Sequence, residues 1–158
     1  MAVTVDTLLS YFDESRFIPV LRSTTKAGAL REIIEALSND PEIRHPDVLR
    51  EALESREKLG STGIGKEVAI PHGRTLSVTR LKVLVARSKK GIAWGSADQK
   101  PVKLFFVVVA PPLEKTNEYL PLLGMLVAAM QEKQHRDRVL KGKTFADMKA
   151  ALEGALRG

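Results

Sequence analysis

The residues best suited to chemistry lie in one stretch, GSTGIGKEVAIPHGRT, which spans residues 60–75. A single histidine, His72, stands there between a proline and a glycine, and the hydroxyl residues Ser61 and Thr62 precede it among several glycines. An imidazole can act as a nucleophile or a metal ligand, whereas hydroxyls and glycine amides can hold an anion. The stretch could therefore be a nucleotide loop, part of a metal site, an ordinary turn, or a place where phosphate is bonded to the protein.

A nucleotide loop fits the residues poorly. Gly60, Gly65 and Lys66 match the first seven positions of G-x-x-x-x-G-K-[ST], but Glu67 stands where the magnesium-binding hydroxyl belongs. The pattern before Gly60 is helical and the pattern after Lys66 is strand-like. A phosphate loop has the reverse order, because it must present a helix amino terminus to the anion.

A metal site is also disfavoured. The chain has no cysteine, and its three histidines, His45, His72 and His135, show no ligand spacing. We predict no metal and no cofactor, and we expect His45 and His135 to be exposed.

The third interpretation makes His72 a nucleophile. Pro71 favours extended backbone at Ile70 and lacks a backbone donor, so VAIP can run to the end of a strand. Gly73 would let the chain turn and leave one flank of the imidazole open. A hydrogen-bonded surface histidine in an ordinary PHG turn would look similar, so the residues alone leave both possibilities open.

The surrounding patterns predict an α/β fold. Apolar spacing predicts helices over STTKAGALREIIEALSND and HPDVLREALESREKLG, the second ended by Gly60. EVAIPH, an alternating LKVLVAR and a buried VKLFFVVVA predict strands. Pro121 suits only a first helical turn, so a helix should begin around Glu118, and two more helices should follow. We predict a mixed β-sheet flanked by helices in a layered α/β/α sandwich.

Composition limits the other options. The 158 residues fit a single domain, 1–158, with 44% hydrophobic and 28% charged residues. The net charge of +6 is dispersed and few aromatics accompany it, so we predict no nucleic-acid partner. The chain shows neither a signal peptide nor an apolar run that could insert into a membrane, and we expect a cytoplasmic protein.

Two blocks carry a family resemblance. REKLGSTGIGKEVAIPHGR (56–74) resembles the active-site signature of the type-2 IIA proteins of the bacterial sugar phosphotransferase system (PTS), which include mannitol, fructose and nitrogen-regulatory members. GIAW…D…PVKLFFVVVAP (91–111) resembles the family's second block. The resemblance implies a layered α/β fold and a phosphocarrier that works as a transferase through a covalent phosphohistidine.

The resemblance also implies roles for individual residues. His72 matches the histidine that accepts a phosphoryl group from the small carrier HPr or its nitrogen-branch counterpart. Arg56 matches the arginine that lies near that histidine, and Ser61 and Thr62 fall in the loop beside it. Because a guanidinium binds phosphoryl oxygens in a fork, we expect Arg56 to compensate their charge, and we expect Ser61, Thr62 and Gly63 to bind the phosphate. Tyr119 stands where the family commonly has a second histidine. A phenol can donate a hydrogen bond to phosphate but is neutral near pH 7.

The resemblance leaves the downstream partner open. A sugar-specific member would pass phosphate to a IIB domain, whereas a nitrogen-regulatory member would control a kinase or a transporter. The 158 residues include no IIB domain and no membrane IIC segment, which favours a standalone regulatory protein. In either role, alignment of donor and acceptor can contribute about 7–11 kcal/mol, far more than a small adjustment of the imidazole pKa.

Overall fold

A computed structural model describes residues 3–158, which form one α/β unit. The strands are β1 (Phe12–Ile18), β2 (Gly63–Gly65), β3 (Val68–Ala69), β4 (His72–Arg74), β5 (Lys82–Ile92) and β6 (Val102–Ala110). The helices are α1 (Val5–Leu9), α2 (Lys26–Ser38), α3 (Pro46–Leu59), α4 (Tyr119–Ala129), α5 (Lys133–Lys141) and α6 (Phe145–Arg157).

The strands form one mixed sheet in the order β1-β5-β6-β3-β2, with β4 pairing beside β3 on the same edge of β6. β5 and β6 are antiparallel, whereas β1 runs parallel to β5, and β3 and β4 run parallel to β6. The central strand β6 thus positions the short strand that begins with His72.

Helices cover both faces of the sheet. Alternate residues of β6 contact opposite layers: Phe106 and Val108 pack with α1, α4, α5 and α6, while Phe105 and Val107 pack with α2 and α3. Both β5 and β6 are buried on both faces, as expected for strands between two helical layers. The predicted α/β/α sandwich is confirmed.

Several element predictions are confirmed. α2 begins after the capping residue Thr25 and buries its predicted stripe, and Pro46 occupies the first turn of α3. Gly60 ends α3 with a positive φ of 157°, and α4 begins at Tyr119 directly after Glu118.

Other predictions are wrong in instructive ways. The polar segment that forms β1 carries no apolar alternation and was not expected to be a strand. β5 is buried at successive residues rather than at alternate ones, and it continues to Ile92, beyond the predicted segment LKVLVAR. EVAIPH is not one strand, because Ile70 and Pro71 separate β3 from β4.

Within residues 3–158, no helix has both the length and the apolar character needed to cross a membrane.

Candidate active site around His72

His72 is the first residue of β4 and pairs with Val108 of the central strand. The backbone N–H of Val108 donates to the carbonyl oxygen of Pro71 at 3.0 Å, which ties the segment before the histidine to the sheet. Pro71 is buried, but the His72 side chain is partly exposed. The imidazole is therefore reachable from solvent while its backbone is held by the core.

The His72 ring has a defined tautomer. Its Nδ1 lies 2.7 Å from the carbonyl oxygen of Ile70. A carbonyl can only accept a hydrogen bond, so Nδ1 carries the proton and the lone pair is on Nε2.

Gly73 serves another purpose than predicted. The chain does not turn there, because β4 continues through Gly73 to Arg74 in register with β6. A Cβ atom on Gly73 would point at α3, 3.5 Å from the carbonyl oxygen of Ala52. The glycine thus lies beneath α3, on the opposite side of β4 from His72.

Tyr119 forms one wall of the site. Its ring centroid lies 6.3 Å from that of His72, and only 5% of the residue is exposed. Burial raises the pKa of Tyr119 to about 12, although the positive charges of Arg74 and Arg56 act in the opposite direction. The phenol is therefore neutral, and its hydroxyl makes no hydrogen bond within residues 3–158.

Arg56 lies in the last turn of α3, close enough to Tyr119 to affect its pKa. One guanidinium nitrogen donates to the carbonyl oxygen of Gly60 at 2.8 Å, across the end of the helix. This bond fixes the direction of the side chain and uses one of its five N–H donors. Tyr119 thus lies beside the His72 ring, and Arg56 is near enough for its charge to act on Tyr119.

Arg74 contacts the same wall and was not singled out from the sequence. Its Cζ lies 4.6 Å from the centroid of the Tyr119 ring, and its Nη1 lies 3.9 Å from a carboxylate oxygen of Glu114. The available signal was spacing, because residues two apart on a strand share a side, and Arg74 follows His72 at that interval.

Thr62 is placed differently from a phosphate ligand. It is 4% exposed, and its hydroxyl donates to the buried carboxylate of Glu57 while accepting from the indole N–H of Trp94. The same carboxylate accepts the Thr62 backbone N–H at 3.2 Å and pairs with Lys26 at 2.8 Å. This network was not predicted from the sequence, because Glu57 lies in a charged run that favours a solvated face.

Ser61 and Gly63 are also engaged within the loop. The Ser61 hydroxyl donates to the carbonyl oxygen of Trp94 at 2.7 Å and accepts the Gly63 N–H at 3.1 Å. Gly63 is required for space, since a Cβ atom would lie 2.0 Å from the hydroxyl oxygen of Ser96. To bind an anion, these predicted donors would have to exchange their present partners.

The sequence and the fold are similar to those of known proteins. A family model described as "Phosphoenolpyruvate-dependent sugar phosphotransferase system, EIIA 2" matches residues 10–155. The chain therefore belongs to the EIIA 2 family of the phosphoenolpyruvate-dependent sugar phosphotransferase system, which confirms the resemblance seen in the sequence.

Individual relatives come from several branches. The PTS system fructose-specific EIIA component of Haloferax volcanii is 29% identical over 120 residues, 76% of this chain and 77% of that protein. The crystal structure of nitrogen regulatory protein IIA-Ntr from Neisseria meningitidis matches with a TM-score of 0.84 and 28% identity, over 92% of this chain and 98% of that one. The mannitol IIA enzyme of Escherichia coli, solved in complex with phosphorylated mannitol IIB, has the same fold (TM-score 0.74, 21% identity, 90% and 97% covered).

Proposed function

We propose that the protein is a phosphocarrier that accepts a phosphoryl group on Nε2 of His72. One observation carries the proposal: the hydrogen bond from Nδ1 to the Ile70 carbonyl leaves the lone pair of a partly exposed ring on Nε2. A ring held in one tautomer is already aligned, and alignment is the main contribution that a protein makes to phosphoryl transfer.

The transfer exchanges one nitrogen–phosphorus bond for another. The Nε2 lone pair forms a nitrogen–phosphorus bond as the donor's own nitrogen–phosphorus bond breaks, and that electron pair returns to the donor imidazole. The proton on Nδ1 of His72 stays in its bond to Ile70, where the carbonyl supports the positive charge that the ring gains.

Arg56 compensates the phosphoryl oxygens in this proposal. Its guanidinium is fixed at one nitrogen by Gly60, which leaves the other N–H groups free to form a fork toward an oxyanion. The Tyr119 hydroxyl, neutral and without a partner in residues 3–158, supplies one further donor.

The loop of Ser61, Thr62 and Gly63 was predicted to bind the phosphate, and that role stays a prediction. In the unphosphorylated protein their donors are engaged with Trp94, Glu57 and one another. We propose that the loop acts first by holding the end of α3, and with it Arg56, against the histidine.

The expected phosphoryl donor is HPr or a related small carrier. Exposed leucines flank the site in sequence: Leu59 follows Arg56, Leu76 follows His72, and Leu113 and Leu120 bracket the start of α4; they are 67–90% exposed. Apolar side chains of this size around a reactive group suit the docking of a partner protein.

For the downstream role, we propose a nitrogen-regulatory type, with control of a kinase or a transporter. The likeness to Neisseria IIA-Ntr supports it, and so does Tyr119, because a neutral phenol offers no titrating partner for onward transfer. A sugar-specific role with a IIB partner is the second candidate, supported by the fructose-specific relative.

The decisive variant is His72→Ala. Labelling by a phosphorylated HPr-type carrier should be lost, with the free energy of unfolding almost unchanged because the ring is partly exposed. His45→Asn is the matched control, since His45 is exposed and has a positive φ that asparagine tolerates. Full labelling of the His72→Ala protein would overturn the proposal.

The two downstream roles can be distinguished by following the phosphoryl group after it has been transferred to the protein. The phosphorylated protein is incubated with IIB domains and sugars, or with candidate regulated kinases and transporters. A stable phosphoform that changes affinity for a kinase or transporter supports the regulatory role. Sugar-dependent loss of phosphate supports the transport role instead.

A further inference from the structure

We propose that Arg74 is a second phosphoryl-binding cation, positioned by Tyr119 and Glu114. The inference rests on the proposed function, since it concerns the group carried by His72. It assigns a role to a residue that lies within the sequence motif but outside the expected pair of His72 and Arg56.

The backbone places Arg74 on the histidine's side of β4. His72, Gly73 and Arg74 pair in order with Val108, Val109 and Ala110 of β6. Side chains alternate along a strand, so those of His72 and Arg74 emerge on the same side while Gly73 faces α3.

Tyr119 links the two side chains. Its ring centroid is 6.3 Å from the His72 ring and 4.6 Å from the Arg74 Cζ. A guanidinium at this distance is held by cation–π attraction to the ring. The tyrosine therefore does more than fill the space of a second histidine, because it carries a cation beside the nucleophile.

Two further contacts orient Arg74 without neutralising it fully. Its Nη1 donates to the carbonyl oxygen of Pro111 at 3.4 Å and lies 3.9 Å from Glu114, at the outer limit of an ion pair. The Glu114 carboxylate is already engaged, because it accepts the backbone N–H groups of Glu118 and Tyr119 at the start of α4.

Other arginines in the molecule show what full engagement looks like. Arg16 donates to Val83, Asp40 and Tyr11 and is 7% exposed, and Arg87 donates to four carbonyl groups and is 8% exposed. The Arg74 side chain is 41% exposed and, among the described residues 3–158, has one long hydrogen bond. Its remaining donors are available to an incoming oxyanion.

The consequence is a second positive charge beside the phosphoryl acceptor. A second histidine would be positive in only part of the physiological pH range, whereas a guanidinium stays protonated throughout. Arg74 thus supplies the positive partner that the neutral Tyr119 cannot supply, and Arg56 supplies the other.

The test uses two phosphoryl donors with Arg74→Gln. One donor is a phosphorylated HPr-type carrier, and the other is phosphoramidate, a small molecule that transfers its phosphoryl group and releases ammonia. We expect single-turnover phosphorylation of His72 to slow about tenfold or more with both donors. Arg74→Lys should recover part of the rate. Tyr119→Phe keeps the aromatic face, so Arg74→Gln should slow phosphorylation by the same factor in the Tyr119→Phe protein.

Arg22→Gln is the matched control, because the Arg22 side chain is 89% exposed and lies outside the site. A defect of Arg74→Gln with the protein donor alone would overturn the proposal and make Arg74 a docking residue. If Arg74→Gln is phosphorylated as fast as the unmodified protein with both donors, the proposal is also overturned. In both cases His72 would still be labelled, whereas failure of the proposed function would leave His72 unlabelled in the unmodified protein.

Discussion

Two halves of the glycine-rich segment hold their polar groups in opposite states. In residues 61–63 the hydroxyls and the Gly63 amide are engaged with Glu57, Trp94 and one another, largely out of solvent. In residues 70–74 an imidazole nitrogen and most donors of an arginine have no hydrogen-bond partner within residues 3–158. One motif thus contains a satisfied network and an unsatisfied one.

The difference distinguishes polar groups that stabilise the fold from polar groups that can bind a substrate. A buried polar group that has all its hydrogen bonds stabilises one arrangement of the chain. Polar groups that are held in place but left without partners are free to bind a substrate. The adjacent residues Arg56 and Glu57 at the end of α3 illustrate both cases. Arg56 lies near Tyr119 in the candidate site, whereas the Glu57 carboxylate accepts the backbone N–H of Thr62 in the buried network.

The largest expected effect concerns the satisfied half. Glu57→Ala leaves Lys26 without its carboxylate and removes acceptors from Thr62 and Trp94. Breaking a buried ion pair of this kind costs about 3–5 kcal/mol of unfolding free energy. Urea denaturation measures the loss. Glu54→Ala, one turn earlier on α3, is the control and should cost less than about 1 kcal/mol; equal losses would mean that the network contributes nothing special.

A second prediction concerns the wall shared by the site and the core. Burial raises the pKa of Tyr119 from 10.0 to about 12, so its contribution to stability is complete below pH 10 and is lost as pH rises through 12. The loss amounts to about 2–3 kcal/mol. Tyr119→Phe should lack this component in denaturation measured across that range. Tyr11 remains in both proteins, so the difference reports Tyr119; identical alkaline profiles would refute its burial as a neutral phenol.

The smallest effect concerns the unsatisfied half. Arg56→Ala should slow phosphorylation of His72 at least about tenfold, which corresponds to about 1.4 kcal/mol in the barrier. Its unfolding free energy should change by less than about 1 kcal/mol, because the lost hydrogen bond is exposed. Arg50→Ala, exposed on the same helix, should have neither effect. An unchanged rate for Arg56→Ala would mean that Arg56 is a solvated surface residue with no role in phosphoryl transfer.

Much of the fold was predictable because its signals are local. Pro46, Gly60 and Pro121 mark helix boundaries through backbone geometry alone, and β6 is apolar throughout its length. His72 was also singled out, since Pro71 and its neighbours fit an extended segment, but the residues alone left an ordinary turn open and only the family resemblance favoured a phosphoryl acceptor.

The rest depends on contacts between distant residues. β1 is a strand despite its charges, and its buried Arg16 donates to the carboxylate of Asp40 and to the carbonyl oxygens of Val83 and Tyr11. The turn between β2 and β3 places Lys66 and Glu67 at positive φ without the usual asparagine or glycine. The roles of Glu57 and Arg74 likewise follow from Trp94 and Tyr119, which spacing alone could not bring to them.

The most direct test of the account is the position of the phosphoryl group on the ring. The protein labelled with nitrogen-15 is phosphorylated and examined by long-range proton–nitrogen NMR with phosphorus coupling. A phosphoryl group on Nε2 of His72, with Nδ1 still protonated, is the predicted result. A phosphoryl group on Nδ1, or on another residue, would contradict it.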